Sequence, residues 1–487
     1  MTRPEPTSMG PDTGAGRSSP VEHRLGLREN WWQFSLYMAI TLLVGMTIGV
    51  ERVALPPLAR ESFGITSVFS TVSFLSAFGA VKAAMNLVSG HLSDRRGRKG
   101  ILLAGWAFAL PYALLIIFAT AWWQVIVANL FLGVNQALTW TMSVTAKIDL
   151  VGPANRGLAV GLDESAGYVG TGLGGMAAGF LVASYGLRPA PYLLALGVVA
   201  LGAIITLGPA TETVHFARSE ATTRTSPAPV GTEPPAPGLS KIATYMSWHD
   251  RSMLAVCQAG MFNKFADGLV AAFFPLYLVR HGVSLVEVGL LVGVYAWVWG
   301  LGQVVSGALA DRIGRKPPII AGTFLLAAGL FLFAATVRHD VWFIAAVVMG
   351  LGMALTYPNL ITAVGDTADP RWRGGALGVY RLWRDGGYAL GPLVLGLIAV
   401  LGGITAALWA GAALVTFSGL VLSVLLKETD PKRRRCPPAW QEHSSWVAPR
   451  PRCRSERVQF FGNLLRPSTL RSKPSIKTTL RFSGWDS

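Results

Sequence analysis

Apolar runs divide the chain at about 32–56, 67–89, 100–120, 122–146, 158–184 and 189–210, then at 252–278, 284–306, 317–337, 341–364, 375–401 and 405–426. A helix needs roughly 20 residues to cross the hydrocarbon core of a bilayer, and each run supplies that. The pattern predicts an all-α polytopic membrane protein of twelve transmembrane helices with both termini on one side. Residues 1–30 are polar and rich in Pro and Gly, and are expected to be disordered. Residues 31–212 form a first six-helix unit and 251–427 a second. Between them, 213–250 is rich in Thr, Pro, Ala and Gly, too poor in apolar surface to fold, and reads as a flexible linker. The polar start holds no cleavable signal peptide before Trp31, so the first spanning helix is expected to direct insertion.

The short polar connections repeat. Gly90-His-Leu-Ser-Asp94-Arg95-Arg-Gly97-Arg98-Lys99 returns as Gly307-Ala-Leu-Ala-Asp311-Arg312-Ile-Gly314-Arg315-Lys316, displaced by 217. Asp149 to Arg156-Gly157 returns at the same displacement as Asp366 to Arg373-Gly374, followed by Gly161/Gly378, Gly170/Gly387 and Gly174/Gly391. Such an offset marks a duplicated membrane unit. The loop glycines permit a tight connection between spans, and an aspartate among arginines can accept from free N–H groups at a neighbouring helix start. The repeated small residues predict matching helix-packing seams in the two halves.

The pattern G-x-L-x-D-R-x-G-R-K resembles the signature loop of the major facilitator superfamily, between its second and third helices, with a weaker copy between helices eight and nine. The resemblance covers roughly Trp31 to Leu426. It implies two pseudo-symmetric six-helix bundles and a secondary transporter that works by alternating access around a midplane site. Helices 1, 4, 7 and 10 would line the central cavity, and helix 2 would pack against helix 11. Asp94 would meet the start of helix 11 near Gly374, a contact whose loss lets the halves separate. The two repeated loops, with Asp149, Arg156, Asp366 and Arg373, are then expected to form the gate.

Composition narrows the class. A chain of 487 residues that is 52% hydrophobic and 14% charged is too apolar for a soluble enzyme. A formal charge of +16 would suit a nucleic-acid partner, but residues 427–487 alone hold fourteen Lys/Arg against five Asp/Glu. The rest of the positive charge sits in short loops. Arg95, Arg96, Arg98, Lys99, Lys147, Arg156, Arg312, Arg315, Lys316, Arg371 and Arg373 fall on one side, and little beyond Arg60, Arg188, Arg280 and Arg338 on the other. This bias is topological and places both termini in the cytoplasm of a cell inner (plasma) membrane protein, with no nucleic-acid partner. The tail at 428–487 reads either as a basic disordered segment touching anionic lipid or as a frame-shifted or read-through end. Cys257, Cys436 and Cys453 imply neither a disulfide framework nor a metal cluster. No G-x-x-x-x-G-K-[ST] loop occurs, so the expected energy source is a proton gradient, with no cofactor.

Ionisable residues inside the apolar runs are the candidate chemistry, since each costs roughly 2.5–3.5 kcal/mol to insert and usually faces a cavity or a partner. Glu51 and Arg52 are adjacent, point apart on a helix, and either serve a site or lie wet at the outer interface, since Pro56-Pro57 should soon end the helix. Lys264 and Asp267, with Asn263 before them, share a face and form either a proton-coupling site or a permanent ion pair. Asn129, Gly133, Gln136 and Trp140 make one stripe on the fourth helix, suited to an amphiphilic ligand or to bridging neighbouring helices. Lys82 and Asn86 share a face, as do Arg381, Arg384, Asp385 and Tyr388, and Lys82 with Asp385 makes a plausible ion pair across the halves. Asn129 stands where many proton-driven members of that superfamily carry an intramembrane arginine. Gly170-Thr171-Gly-Leu-Gly174-Gly175 resembles the G-P-x-x-G-G element of its antiporters, with Thr171 in place of proline.

These features point to proton-coupled efflux of a small organic solute by a monomer in the lipid bilayer. The cations Arg52, Lys82, Lys264, Arg381 and Arg384 keep uptake or export of an anion as an alternative. A non-transporting sensor of the same fold is a different class, for which neither the linker nor the tail offers a signalling domain. An enzyme is not expected, because no nucleophile or metal set converges at membrane depth.

Overall fold

Each apolar run falls on a helix of the computed structural model, some runs overrunning the helix ends by up to three residues and 252–278 divided between two helices; the structure describes residues 24–65, 68–224 and 237–434, without the side chains of 68–75, 222–224, 272, 285 and 286. The first half holds α1 (Trp31–Phe63), α2 (Val68–Arg96), α3 (Arg98–Ile117), α4 (Trp122–Val151), α5 (Arg156–Tyr185) and α6 (Ala190–Leu207). Then come α7 (Val214–Arg224), α8 (Leu239–Thr244) and a π-helical turn, Tyr245–His249. The second half holds α9 (Arg251–Ala272) continued by α10 (Phe274–Arg280), α11 (Leu285–Ile313), α12 (Lys316–Ala334), α13 (His339–Thr367), a 3-10 turn Pro370–Trp372, and α14 (Arg373–Leu425). Gly403, with φ +85°, turns α14 into two arms, 373–402 and 404–425.

Among the described residues, ten helices are long and apolar enough to cross a membrane, the last of them 56 residues with its 3-10 turn. That length serves two crossings. The 29 residues of α2, roughly 43 Å of helix, stand outside the ten. Its apolar stretch 68–85 contains Lys82 as its one charged residue. Counting α2 and both arms of α14, twelve long helices are present among the described residues. Their outward faces are apolar, with Phe118, Phe180, Val305, Leu401 and Val424 exposed, while Arg98, Arg156, Arg315, Arg373 and Arg381 are fully buried. Such a surface suits lipid.

The halves meet through two equivalent seams, α2 on the first arm of α14 and α11 on α5. Close backbone approach sets both. A Cβ on Gly90 would lie 2.2 Å from the Gly374 carbonyl oxygen, and one on Gly307 2.1 Å from that of Gly157. Within the halves, Gly170 and Gly174 press on the α1 backbone at Leu42 and Met46, as Gly387 and Gly391 press on α9 at Met261 and Phe265.

Several expectations need correction. Pro56 and Pro57 do not end α1, which continues to Phe63 and stops at the left-handed Gly64. The missing proline N–H groups are tolerated because neighbouring helices enclose this segment: Ala54, Leu55, Leu58 and Ala59 are all buried. Residues 24–30 are ordered, the Asn30 side chain donating to Arg24, Gly26 and Leu150 carbonyls; residues 1–23 lie outside the described residues. The stretch 213–250 is not an unstructured linker at its ends. Val214, Ala217 and Glu220 bury one face of α7, so tertiary packing supplies what composition lacks; its centre, 225–236, lies outside the described residues. The start of the supposed tail is fixed too, because Glu428, Thr429 and Asp430 pack against the second half; residues 435–487 lie outside the described residues. Lys147 belongs to no loop, since α4 runs on to Val151 and buries it against Asp163.

Candidate functional site

Two groups of charges stand out, one at the face carrying the repeated loops and one at the centre. At the face, the loop turns at Gly97 (φ +91°) and Gly314 (φ +100°) free the first N–H groups of α3 and α12. Glu212 accepts from Arg98 and Lys99 N–H at 2.8 and 3.0 Å, and Glu428 from Arg315 and Lys316 at 2.9 and 3.2 Å. A carboxylate at a helix N-terminus is favourable, so each loop is held from the far end of its own half. Sequence reasoning missed both glutamates, although a Glu-Thr pair follows the last apolar run of each half.

From these anchored loops a chain of ion pairs crosses the molecule. Arg98 bonds Asp94 at 2.9 Å and Asp149 at 3.0 Å, and Asp149 bonds Arg373 at 2.9 Å. Arg315 bonds Asp311 at 2.6 Å and Asp366 at 2.9 Å, and Asp366 bonds Arg156 at 2.6 Å. Glu220, on α7, joins the two arms through Arg156 at 2.8 Å and Arg373 at 2.6 Å. Asp94 accepts from Gly374 and Gly375 N–H at 3.0 and 2.7 Å; Asp311 accepts from Gly157 and Leu158 at 3.0 and 2.8 Å. The contact between Asp94 and the helix start at Gly374 is therefore present, with its mate. Each of these bonds is charge-assisted, and together they hold the face closed. Of the other expected gate residues, Arg95 and Arg312 are exposed, and Lys99 and Lys316 are half-buried. Lys99 donates to the Leu207 and Ala210 carbonyls at 3.0 and 2.8 Å.

The central cavity draws on seven helices: Ile48, Glu51 and Arg52 of α1, Phe78, Gly79 and Lys82 of α2, Trp140 of α4, Tyr168 and Thr171 of α5, Lys264 of α9, Tyr357 of α13, and Arg384, Asp385 and Tyr388 of α14. It leaves about 50 Å³ open. Glu51 is 2% exposed and its Oε1 has no partner among the described residues. Lys264 pairs with Asp267 at 2.5 Å and lies 5.5 and 5.1 Å from the Trp299 and Tyr388 rings. Arg384 pairs with Asp385 at 2.7 Å and lies 4.1 Å over Tyr357. Behind this lining, Arg381 reaches Glu164 across the halves at 3.2 Å, and Trp140 donates to the same carboxylate.

Lys82 and Asp385 do not pair. Asp385 is taken by Arg384 and by the Asn86 amide at 2.7 Å, whereas Lys82 sits 5.3 and 5.6 Å from the Trp140 and Phe78 rings. Nor does the α4 stripe face the cavity as a unit. Only Trp140 lines it; Gln136 donates to Thr47 and Val44 of α1, and Asn129 donates to Val125 in its own helix at 2.9 Å. Asn263 likewise bridges to Met353 rather than lining the space. Lys147 and the rings of Tyr168, Trp299 and Tyr357 were not among the expected site residues; Asp163 and Glu164 are legible as ionisable positions within the apolar run 158–184, but the sequence assigns them no partner.

Comparison with known proteins agrees with this architecture. The Major Facilitator Superfamily model matches residues 37–263 and 256–472. The chain is 28% identical over 412 residues to the multidrug resistance protein MdtG of Proteus mirabilis (strain HI4320), covering 80% of this chain and 95% of that protein. To the quinolone resistance protein NorA of Staphylococcus aureus (strain MRSA252) it is 27% identical over 166 residues, 34% of this chain and 42% of that one. Among solved structures, FucP in the outward conformation superposes with a TM-score of 0.63 at 15% identity, covering 81% of this chain and 98% of that chain, a likeness of fold.

Proposed function

The chain belongs to the Major Facilitator Superfamily, and from that premise we propose that it moves a small organic solute across the cytoplasmic membrane by alternating access, as proton-coupled efflux. The observation that carries this reading is the cavity itself: both halves line it, charges and rings face it, and a locked face seals one end of it. About 50 Å³ is far below the roughly 300–1,000 Å³ that drug-sized ligands fill, so the site is contracted and the halves must part to admit a solute. We assign the locked face to the cytoplasm from the Lys/Arg bias of its loops, with both termini there.

Glu51 is the proton carrier in this scheme. Its buried oxygen without a partner can take a proton or a donor group of the solute, one at the expense of the other, which is the condition for antiport. Asp267 is the weaker candidate, since Lys264 already satisfies it. The names of the MdtG and NorA relatives support export. No bound cofactor is needed, and the monomer is the working unit.

The test is internal pH in proteoliposomes that are acid inside, with organic cations, anions and neutral compounds added outside. Antiport gives compound-dependent alkalinisation beyond the leak, absent in Glu51→Gln. Compound-dependent acidification means symport and overturns export, while silence in this assay and in radiolabelled counterflow favours a non-transporting sensor.

A further inference from the structure

Among the described residues, the cavity has two buried ionisable groups without an ionic partner, one basic and one acidic. Lys82 is 9% exposed, and among the described residues it has neither an acid within ion-pair distance nor a hydrogen bond; the Phe78 and Trp140 rings are what its ammonium faces. Glu51 is more deeply buried, with Oε1 unpartnered. Both line one space, yet they do not pair with each other. The other buried charges around it are already matched: Lys264 with Asp267, Arg384 with Asp385, and Arg381 behind with Glu164; Arg52 has no ion pair among the described residues, and it is exposed. A buried ammonium and a buried carboxylate are costly when each lacks a counter-charge. Aromatic rings supply a weak substitute for the first through their negative faces.

We propose that the solute is an aromatic zwitterion, its anionic group on Lys82, its ammonium on Glu51, and its ring among Trp140, Tyr168 and Tyr357. A singly charged solute satisfies one of the two groups and strands the other. An anion alone would also favour a protonated Glu51 beside it, so proton and solute would travel together. The ammonium of a zwitterion instead displaces the proton from Glu51, which returns to water as the solute binds. This rests on the efflux reading above and specifies its substrate class.

The experiment uses the full-length protein in detergent and four probes sharing one ring: 4-(aminomethyl)benzoate, 4-methylbenzoate, 4-methylbenzylamine and 4-methylbenzyl alcohol. Titration calorimetry should give the zwitterion at least about tenfold tighter binding than any of the other three, as expected for one extra charge-assisted contact. Lys82→Met should reduce it to the level of the amine and Glu51→Gln to that of the acid, while Lys82→Arg keeps the preference. In weakly buffered solution, binding of the zwitterion should release protons from the native protein and not from Glu51→Gln. Equal binding of the acid or of the amine overturns the zwitterion and leaves the cavity as the site. No binding of any probe, with transport still found in proteoliposomes, overturns the substrate class alone; silence in both overturns the efflux reading with it.

Discussion

The locked face and the central cavity are built from the same duplicated unit, and they treat the duplication in opposite ways. At the face, Asp94, Arg98, Asp149 and Arg156 recur 217 residues later as Asp311, Arg315, Asp366 and Arg373, and the bonds recur with them. In the cavity the same displacement carries Lys82 to Trp299, Trp140 to Tyr357, Tyr168 to Asp385 and Glu51 to Gly268. Glu164 is carried to Arg381, so one equivalent pair has become complementary and bonds across the halves. A gate between two equivalent bodies opens and closes by the same displacement on both, so equal charges suit it. A small solute has no two-fold axis, and a site that holds it in one pose must break the repeat. Glu220 fits neither pattern: it has no mate, because it lies between the halves and serves both.

The equivalence at the face can be broken most severely at its arginines. Arg156 and Arg373 each neutralise Glu220 and one aspartate while fully buried. Arg156→Ala leaves Glu220 to Arg373 and Asp366 to Arg315, and Arg373→Ala leaves Glu220 to Arg156 and Asp149 to Arg98; either removes one buried cation from the network, at a cost of about 3–5 kcal/mol. Spin labels at the exposed Arg96 and Arg312 should then report separation of the face, to a similar extent in both variants. An effect confined to one arginine would show that the repeat is not mechanically equivalent.

Smaller and more local losses are expected from Asp94→Asn and Asp311→Asn, each weakening charge-assisted bonds to two backbone N–H groups by about 1.5–3 kcal/mol in total. Hydrogen exchange should quicken at Gly374 and Gly375 in the first and at Gly157 and Leu158 in the second. Glu220→Gln should quicken both sites together, since it loosens Arg156 and Arg373 at once. Faster exchange at one site only would remove its place as the shared member.

How far the chain could be read without coordinates follows from the same contrast. The repeated loops were legible because glycines, aspartates and arginines at a fixed offset leave few alternatives, and the seams at Gly90 and Gly307 follow from them. Glu220 was hidden because a segment rich in Thr, Pro and Ala has no helical signal of its own, and α7 is held by what it packs on. Glu212 and Glu428 stand 216 apart rather than 217, just outside the register that exposed the rest. Lys82 and Asp385 were placed on facing helices, but helical spacing fixes a face and not a height, and at its own height Asp385 is met by Asn86 and Arg384.

The α4 stripe gives the smallest expected effect and sharpens the boundary of the asymmetric site. Asn129 and Trp140 share a face of the helix by spacing, yet only Trp140 reaches the cavity, where its ring faces Lys82 and its Nε1 binds Glu164. Asn129 spends its amide hydrogen on Val125 one turn back, and its Oδ1 has no partner among the described residues. Replacing a buried polar group and its demand with an apolar group of similar size is close to neutral, within about 0.5–1 kcal/mol. Asn129→Leu should therefore leave thermal stability and the apparent KM for any transported compound within about twofold of native, whereas Trp140→Leu raises KM by more. A loss of transport in Asn129→Leu equal to that in Trp140→Leu would place the whole stripe in the solute path, and the site would then extend along α4 beyond the asymmetric centre.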